Sequence, residues 1–217
     1  MSLNKFEMKN LDDSSIVVMI AKRGSGKSVL IRDLLYHKKD VIDCVILISP
    51  TEACNRTYGD IIPDTFIYDD YDHKILDRLF ERQKQLEFKN KRRIKAGKRP
   101  IKMNTAIVMD DCMHDTKWTK DVIMKSIFFN GRHFKILFIL ALQYALGIPP
   151  AFRGNIDYVF LLADNSNDNR DKYYKNFCSV FPNKKLFNRI FDKTTENYKC
   201  MVINNKTKSS NLQDVVT

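Results

Sequence analysis

The stretch IVVMIAKRGSGKS, residues 16–28, decides the reading of this chain, because it joins a fully apolar run to a short glycine-bearing loop and then to an amphipathic run, VLIRDLLYH. Its second part fits the pattern [AG]-x-x-x-x-G-K-[ST], with Ala21 where the strict form has Gly, a position that needs only a small residue. A strand, a loop whose backbone N–H groups turn inward, and a helix whose positive end faces the same point together make an anion cradle. Ile16 to Ile20 reads as a strand buried on both faces, and Gly24 and Gly26 permit the tight wrap. The loop residues Ala21, Lys22, Arg23, Gly24, Ser25 and Gly26, with Lys27, Ser28 and Val29 at the helix start, are the candidates for holding nucleotide phosphates. Lys27 is expected to reach the β- and γ-phosphates, and the Ser28 hydroxyl to serve Mg²⁺.

Working outward, 217 residues with 44% hydrophobic content are enough for one α/β domain with a proper core. The 37 Lys and Arg against 26 Asp and Glu leave a formal charge of +11, which points to a polyanionic partner. Five cysteines at 44, 54, 112, 178 and 200 form no C-x-x-C pair, so neither a disulfide framework nor a zinc site is suggested. The N-terminal residues lack an apolar targeting core, and the longest apolar run, Ile136 to Leu142, is far too short for a bilayer. A soluble, unsecreted protein in a reducing compartment is expected.

Further strands are expected at Cys44 to Ile48, an extra strand between the loop and the acidic motif, at Thr105 to Met109, Lys135 to Leu142 and Tyr158 to Leu162, and at an edge, Tyr198 to Ile203; Phe66 to Tyr68 is a weak candidate. Helical spacing predicts a long, increasingly basic helix from Lys74 to about Arg93, ended by Gly97 and Pro100, and helices at 120–129, 169–180 and 186–191. Between Arg82 and Lys102 stand ten Lys or Arg, which either contact nucleic acid or form a solvated helix end. Strands alternating with helices imply a three-layer α/β fold with a mainly parallel central sheet and its site at the carboxyl ends of the strands. A single domain over 1–203 is expected, followed by a disordered polar tail, 204–217.

Asp110 follows four apolar residues and so falls at a strand's carboxyl end, where its carboxylate can hold the Mg²⁺ shell opposite Ser28. Asp111 is placed to polarise an attacking water, and Gln143, ending the next strand, to hydrogen-bond both γ-phosphate and water. Arg132, in FFNGRHF, and Arg153, in IPPAFRG, are candidate arginine fingers, although a solvated arginine explains either. His114 and His133 have no second ligand at metal spacing. Tyr173, Tyr174 and Phe177 are explained by a helix's core face more simply than by base stacking.

Four blocks, AKRGSGKS (21–28), AIVMDDCM (106–113), FFNGRHF (128–134) and LQYALGIPPAFRGNIDYVFLL (142–162), resemble the poxvirus-type genome-packaging ATPases of nucleocytoplasmic large DNA viruses, within the FtsK/HerA superfamily. The resemblance implies an additional-strand P-loop NTPase fold, ATP and Mg²⁺ as cofactors, a homo-oligomeric ring, translocation of double-stranded DNA, and docking on a capsid or portal protein. It also implies host-cell cytoplasmic assembly sites as the location, with virion association a further expectation. By position it gives Lys27 and Ser28 to the P-loop, Asp110 and Asp111 to the Walker B pair, Gln143 to the sensor and Arg132 to a neighbour's nucleotide. Asp111 stands where the wider superfamily often has Glu. A P-loop small-molecule kinase is the alternative enzyme, and a non-hydrolysing ATP-dependent assembly scaffold the alternative from another class. No N-K-x-D motif occurs to favour a GTPase.

Overall fold

The computed structural model describes residues 3–112 and 116–217. The continuous apolar runs become strands β1 (Ile16–Ile20), β2 (Cys44–Ile48), β3 (Ile67–Tyr68), β4 (Thr105–Asp110), β5 (Ile136–Leu142), β6 (Tyr158–Leu162) and β7 (Cys200–Asn204). Helices α1 (Lys27–Lys38), α2 (Glu52–Asn55), α3 (His73–Lys95), α4 (Val122–Asn130), α5 (Pro150–Arg153), α6 (Asn167–Phe177), α7 (Lys184–Thr194) and α8 (Leu212–Val215) lie between and after them. All seven strands join one sheet in the order β3-β2-β4-β5-β1-β6-β7, parallel except where β7 runs against β6.

The additional-strand arrangement is present, but a different strand supplies it. Cys44–Ile48 intervenes in sequence between the loop and the acidic pair, yet in space it lies beyond β4. The strand inserted between β1 and β4 is β5, registered with both: Val18 faces Leu140, and Met109 faces Leu140 from the other side. Spatial order follows from crossover paths, which an apolar run does not encode.

Alternate residues of β1 serve two cores. Ile16, Val18 and Ile20 pack toward α3, α4, α6 and α7, whereas Val17 and Met19 pack toward α1 and the N-terminal segment around Leu11. Burial on both faces accounts for the unbroken apolar strands and makes the three layers.

Helix α3 is capped by Asp72, whose side chain accepts the Lys74 N–H at 2.9 Å. Its first half buries Ile75, Leu76, Leu79 and Phe80, and Gln83 Nε2 donates to the carbonyls of Met103 and Phe134, each at 2.6 Å. Beyond Lys84 the helix leaves the core. Asn90 there donates to Ile101 O at 2.8 Å and accepts the Ile101 N–H at 2.7 Å, and Gly97 turns the chain back with φ of 68°. Helix and returning segment thus form a basic arm.

Gly131 ends α4 and opens the turn into β5. Its N–H donates to Ile127 O at 2.9 Å, and a Cβ here would lie 2.5 Å from that same oxygen. Gly131→Ala is expected to cost about 1–3 kcal/mol through overpacking. Urea denaturation tests this: an unchanged midpoint would mean that the helix end relaxes at no cost.

The tail expected to be disordered returns to the sheet. Val216 bridges Ile203, with Val202 N–H to Thr217 O at 2.8 Å and Thr217 N–H to Val202 O at 3.0 Å, and Val215 and Val216 are buried. The polar run from Asn204 conceals an apolar end that covers the otherwise open edge of β7.

Candidate nucleotide site

The site forms where β1, β4, β5 and β6 end together. Ala21 leaves β1 with its N–H on Leu142 O at 3.0 Å, tying the loop to the end of β5. Gly24 and Gly26 have φ of 76° and 92°, and no atom lies within 4 Å of a Cβ added at either. Glycine is required there by backbone conformation, not by crowding. Gly26 is also the residue before α1, so the positive end of the helix opens at Lys27. Lys27 Nζ crosses the loop to Ala21 O at 3.2 Å and is largely buried.

Asp110 is the last residue of β4, and Ser28 Oγ donates to its Oδ2 at 3.0 Å. The next residue, Asp111, has φ of 62°, a left-handed backbone that Asp tolerates better than most. Its Oδ1 accepts a hydrogen bond from Gln143 Nε2, one residue past β5. Ser28, Asp110, Asp111 and Gln143 are thus brought together, and the insertion of β5 between β1 and β4 is what does so. Mg²⁺ fits this donor set: it keeps several waters and takes only one or two protein oxygens beside those of a phosphate. Cys112, after the pair, is buried with its thiol on Ile48 O at 3.2 Å, and burial beside Asp110 and Asp111 pushes that thiol up to about 12.

Three participants have no motif to announce them. Tyr58 donates its hydroxyl to Asp110 Oδ2 at 2.7 Å. Buried Glu52 accepts the N–H groups of Thr57 and Tyr58 at 3.0 and 2.7 Å. Asp164, just past β6, pairs with loop residue Lys22 at 2.8 Å and also accepts from Ser166, Asn169 and Tyr173. Burial alone would raise the Asp164 pKa, but the Lys22 ammonium and these donors hold the carboxyl below its usual range. Its contacts explain why Tyr173 is buried in the core; Phe177 is buried with it.

The arginines are elsewhere. Arg132 lies in the turn before β5, at the amino edge of the sheet, and pairs with Asp157 at the start of β6. Asp157 is buried, and its Oδ2 accepts the Ile16 N–H at 2.8 Å. The length of β1, five residues at roughly 3.3 Å each, separates this end from the loop. Arg153 holds its own segment, donating to Ile148 O at 3.0 Å and to Asn176 Oδ1. His133 is exposed, and His114 lies outside the described residues, as does Met113 of the second block. The third and fourth blocks meet in the core, where the Phe128 and Phe152 rings stack with centroids 4.4 Å apart.

A buried strand running into a glycine-bearing loop and helix, faced by an acid ending a strand two places away, defines a P-loop nucleotide-binding protein. The chain matches the family described as Poxvirus A32 protein over residues 3–216, and it belongs to that family. The resemblance to packaging ATPases drawn from the sequence blocks is thereby borne out. Protein L437 of Acanthamoeba polyphaga mimivirus is 38% identical over 222 residues, covering 100% of this chain and 78% of its own length. Protein 015R of Frog virus 3 (isolate Goorha) is 38% identical over 200 residues, covering 92% and 59%. Among solved structures, the genome packaging NTPase B204 from Sulfolobus turreted icosahedral virus 2 in complex with ATP-gammaS aligns with a TM-score of 0.61 at 17% identity, over 92% of this chain and 96% of that one. At that identity the likeness is one of fold.

Proposed function

We propose that this chain is an ATP-hydrolysing motor that drives double-stranded viral DNA into a capsid, acting as a homo-oligomeric ring at assembly sites in the host cytoplasm. The observation that carries the reading is the paired arrangement at the ends of β4 and β5: Ser28 on Asp110, and Gln143 on Asp111. A second acid held by a polar residue of the inserted strand suits activation of water better than phosphoryl transfer to a small acceptor.

When bound, ATP would supply the transferable phosphoryl group and Mg²⁺ would neutralise its charge. Lys27 and the start of α1 would bind the β- and γ-phosphates, and Ser28 and Asp110 would hold the metal shell. Gln143 occupies Oδ1 of Asp111, so that Oδ2 takes the proton of the attacking water. Arg132 completes the site of the next subunit. Steady-state ATP hydrolysis, measured with and without double-stranded DNA at low salt, tests the reading. Turnover that rises with DNA supports the motor, whereas ATP binding without turnover under any condition favours the scaffold.

The arm of α3 supplies the DNA-binding surface. Lys89, Arg92, Lys95 and Lys98 are exposed along it, with the Arg92 guanidinium 4.6 Å from the Phe88 ring centroid. Replacing all four with Gln is expected to flatten the dependence of log K on log salt by about 0.9 for each phosphate that is no longer neutralised. Fluorescence anisotropy across a salt series measures the slope, and an unchanged slope reduces the arm to a solvated surface.

A further inference from the structure

We propose that Tyr58 is a positioning residue for the metal-binding carboxylate Asp110, which makes the turn after β2 part of the nucleotide machinery; the inference rests on the nucleotide-binding reading above. Asp110 Oδ2 accepts two hydroxyls, Tyr58 at 2.7 Å and Ser28 at 3.0 Å. Two donors on one oxygen fix the carboxylate's rotation, so that Oδ1 would be the oxygen offered to a metal's water shell. Ser28, whose hydroxyl donates its hydrogen bond to Asp110, would keep its lone pairs for the metal.

Tyr58 is itself held from two sides. Its N–H and that of Thr57 are bound by Glu52, while Arg32 of α1 forks onto Asp60 with both bonds at 2.6 Å and also donates to Thr57 O. The ring is 1% exposed and packs in the core beneath α1. If Tyr58 only filled that core, Phe would serve equally and avoid burying a hydroxyl, which costs free energy unless the group is bonded. A carboxylate oxygen only accepts, so the phenol hydroxyl is the donor and the bond points from Tyr58 toward Asp110. Partners that orient a metal-binding group in this way typically cost 10–100-fold in metal affinity when removed.

The test is a Mn²⁺ titration of protein saturated with a non-hydrolysable ATP analogue, following free Mn²⁺ by electron paramagnetic resonance. Tyr58→Phe is expected to weaken Mn²⁺ binding about tenfold or more, while affinity for the analogue in EDTA stays at the wild-type value. Wild-type Mn²⁺ affinity in Tyr58→Phe overturns the proposal. Should that variant fail to melt cooperatively, Glu52→Gln carries the test: a several-fold loss of Mn²⁺ affinity supports positioning, and no loss overturns it. If the wild-type protein binds the analogue no better than Lys27→Ala does, the nucleotide reading itself fails and the inference falls with it.

Discussion

Lys27→Ala is expected to lower ATP turnover by at least about 100-fold, the scale seen when a single preorganised donor is removed from a developing charge. Lys27 opens α1, and its ammonium lies across the loop on Ala21 O, largely shielded from water. A positive charge in that position acts at low effective dielectric, where it is worth far more than at the surface. Ala is a good helix residue, and the glycines keep the loop's shape, so the apo protein should melt within about 1 kcal/mol of wild type. Steady-state hydrolysis and thermal melts with and without Mg-ATP separate the two effects. Undiminished turnover in Lys27→Ala would reduce the loop to a structural turn.

Arg132→Ala is expected to cost about 10³ to 10⁵ in the ATPase rate of the assembled protein, as loss of an arginine finger does elsewhere. The arginine lies a full strand's length from its own loop, so the proposed finger role puts its effect on an adjoining copy. That geometry gives a sharper experiment than the single variant. Mixing Arg132→Ala with Lys27→Ala subunits regenerates composite sites, with an intact loop from the first and an arginine from the second, and turnover should partly return. A second effect has to be separated. Without the guanidinium, the Ile16 N–H is the one donor left to the Asp157 carboxylate among the described residues, against a burial that already raises its pKa. Arg132→Lys retains a cation for Asp157 but loses the planar fork, so it should preserve stability and still lose rate. Full turnover in Arg132→Ala would move attention to Arg153, whose guanidinium is already engaged by Ile148 and Asn176.

Elements built from local pattern were legible in the sequence. Strands buried on both faces read as unbroken apolar runs, and α3 announced itself by spacing, with Gly97 and Pro100 after it; its Asp72 cap became visible only in the structure. The loop and Asp110 were legible for the same reason, since each is tied to the end of such a run. Sheet order was not, because β2 and β5 have the same apolar texture, and only the crossovers decide which lies beside β1. Tyr58 and Asp164 were hidden in turn-rich segments, 52 residues from Asp110 in one case and 142 from Lys22 in the other. Neither pairing has a spacing signature. The tail was misread because its two buried valines follow a long polar stretch whose composition resembles that of a solvated end.

Strand β5 carries Gln143 just past one end and Arg132 a few residues before the other, with seven fully buried residues between them. Hydrogen bonding to β1 on one side and β4 on the other deprives it of any soft point at which to bend. In a ring, a push or pull delivered to Arg132 by an adjoining copy would therefore reach the Gln143–Asp111 pair as movement of a stiff rod, dragging the flanking strands with it. On the ring reading proposed above, consecutive sites would then be coupled in series through the sheet.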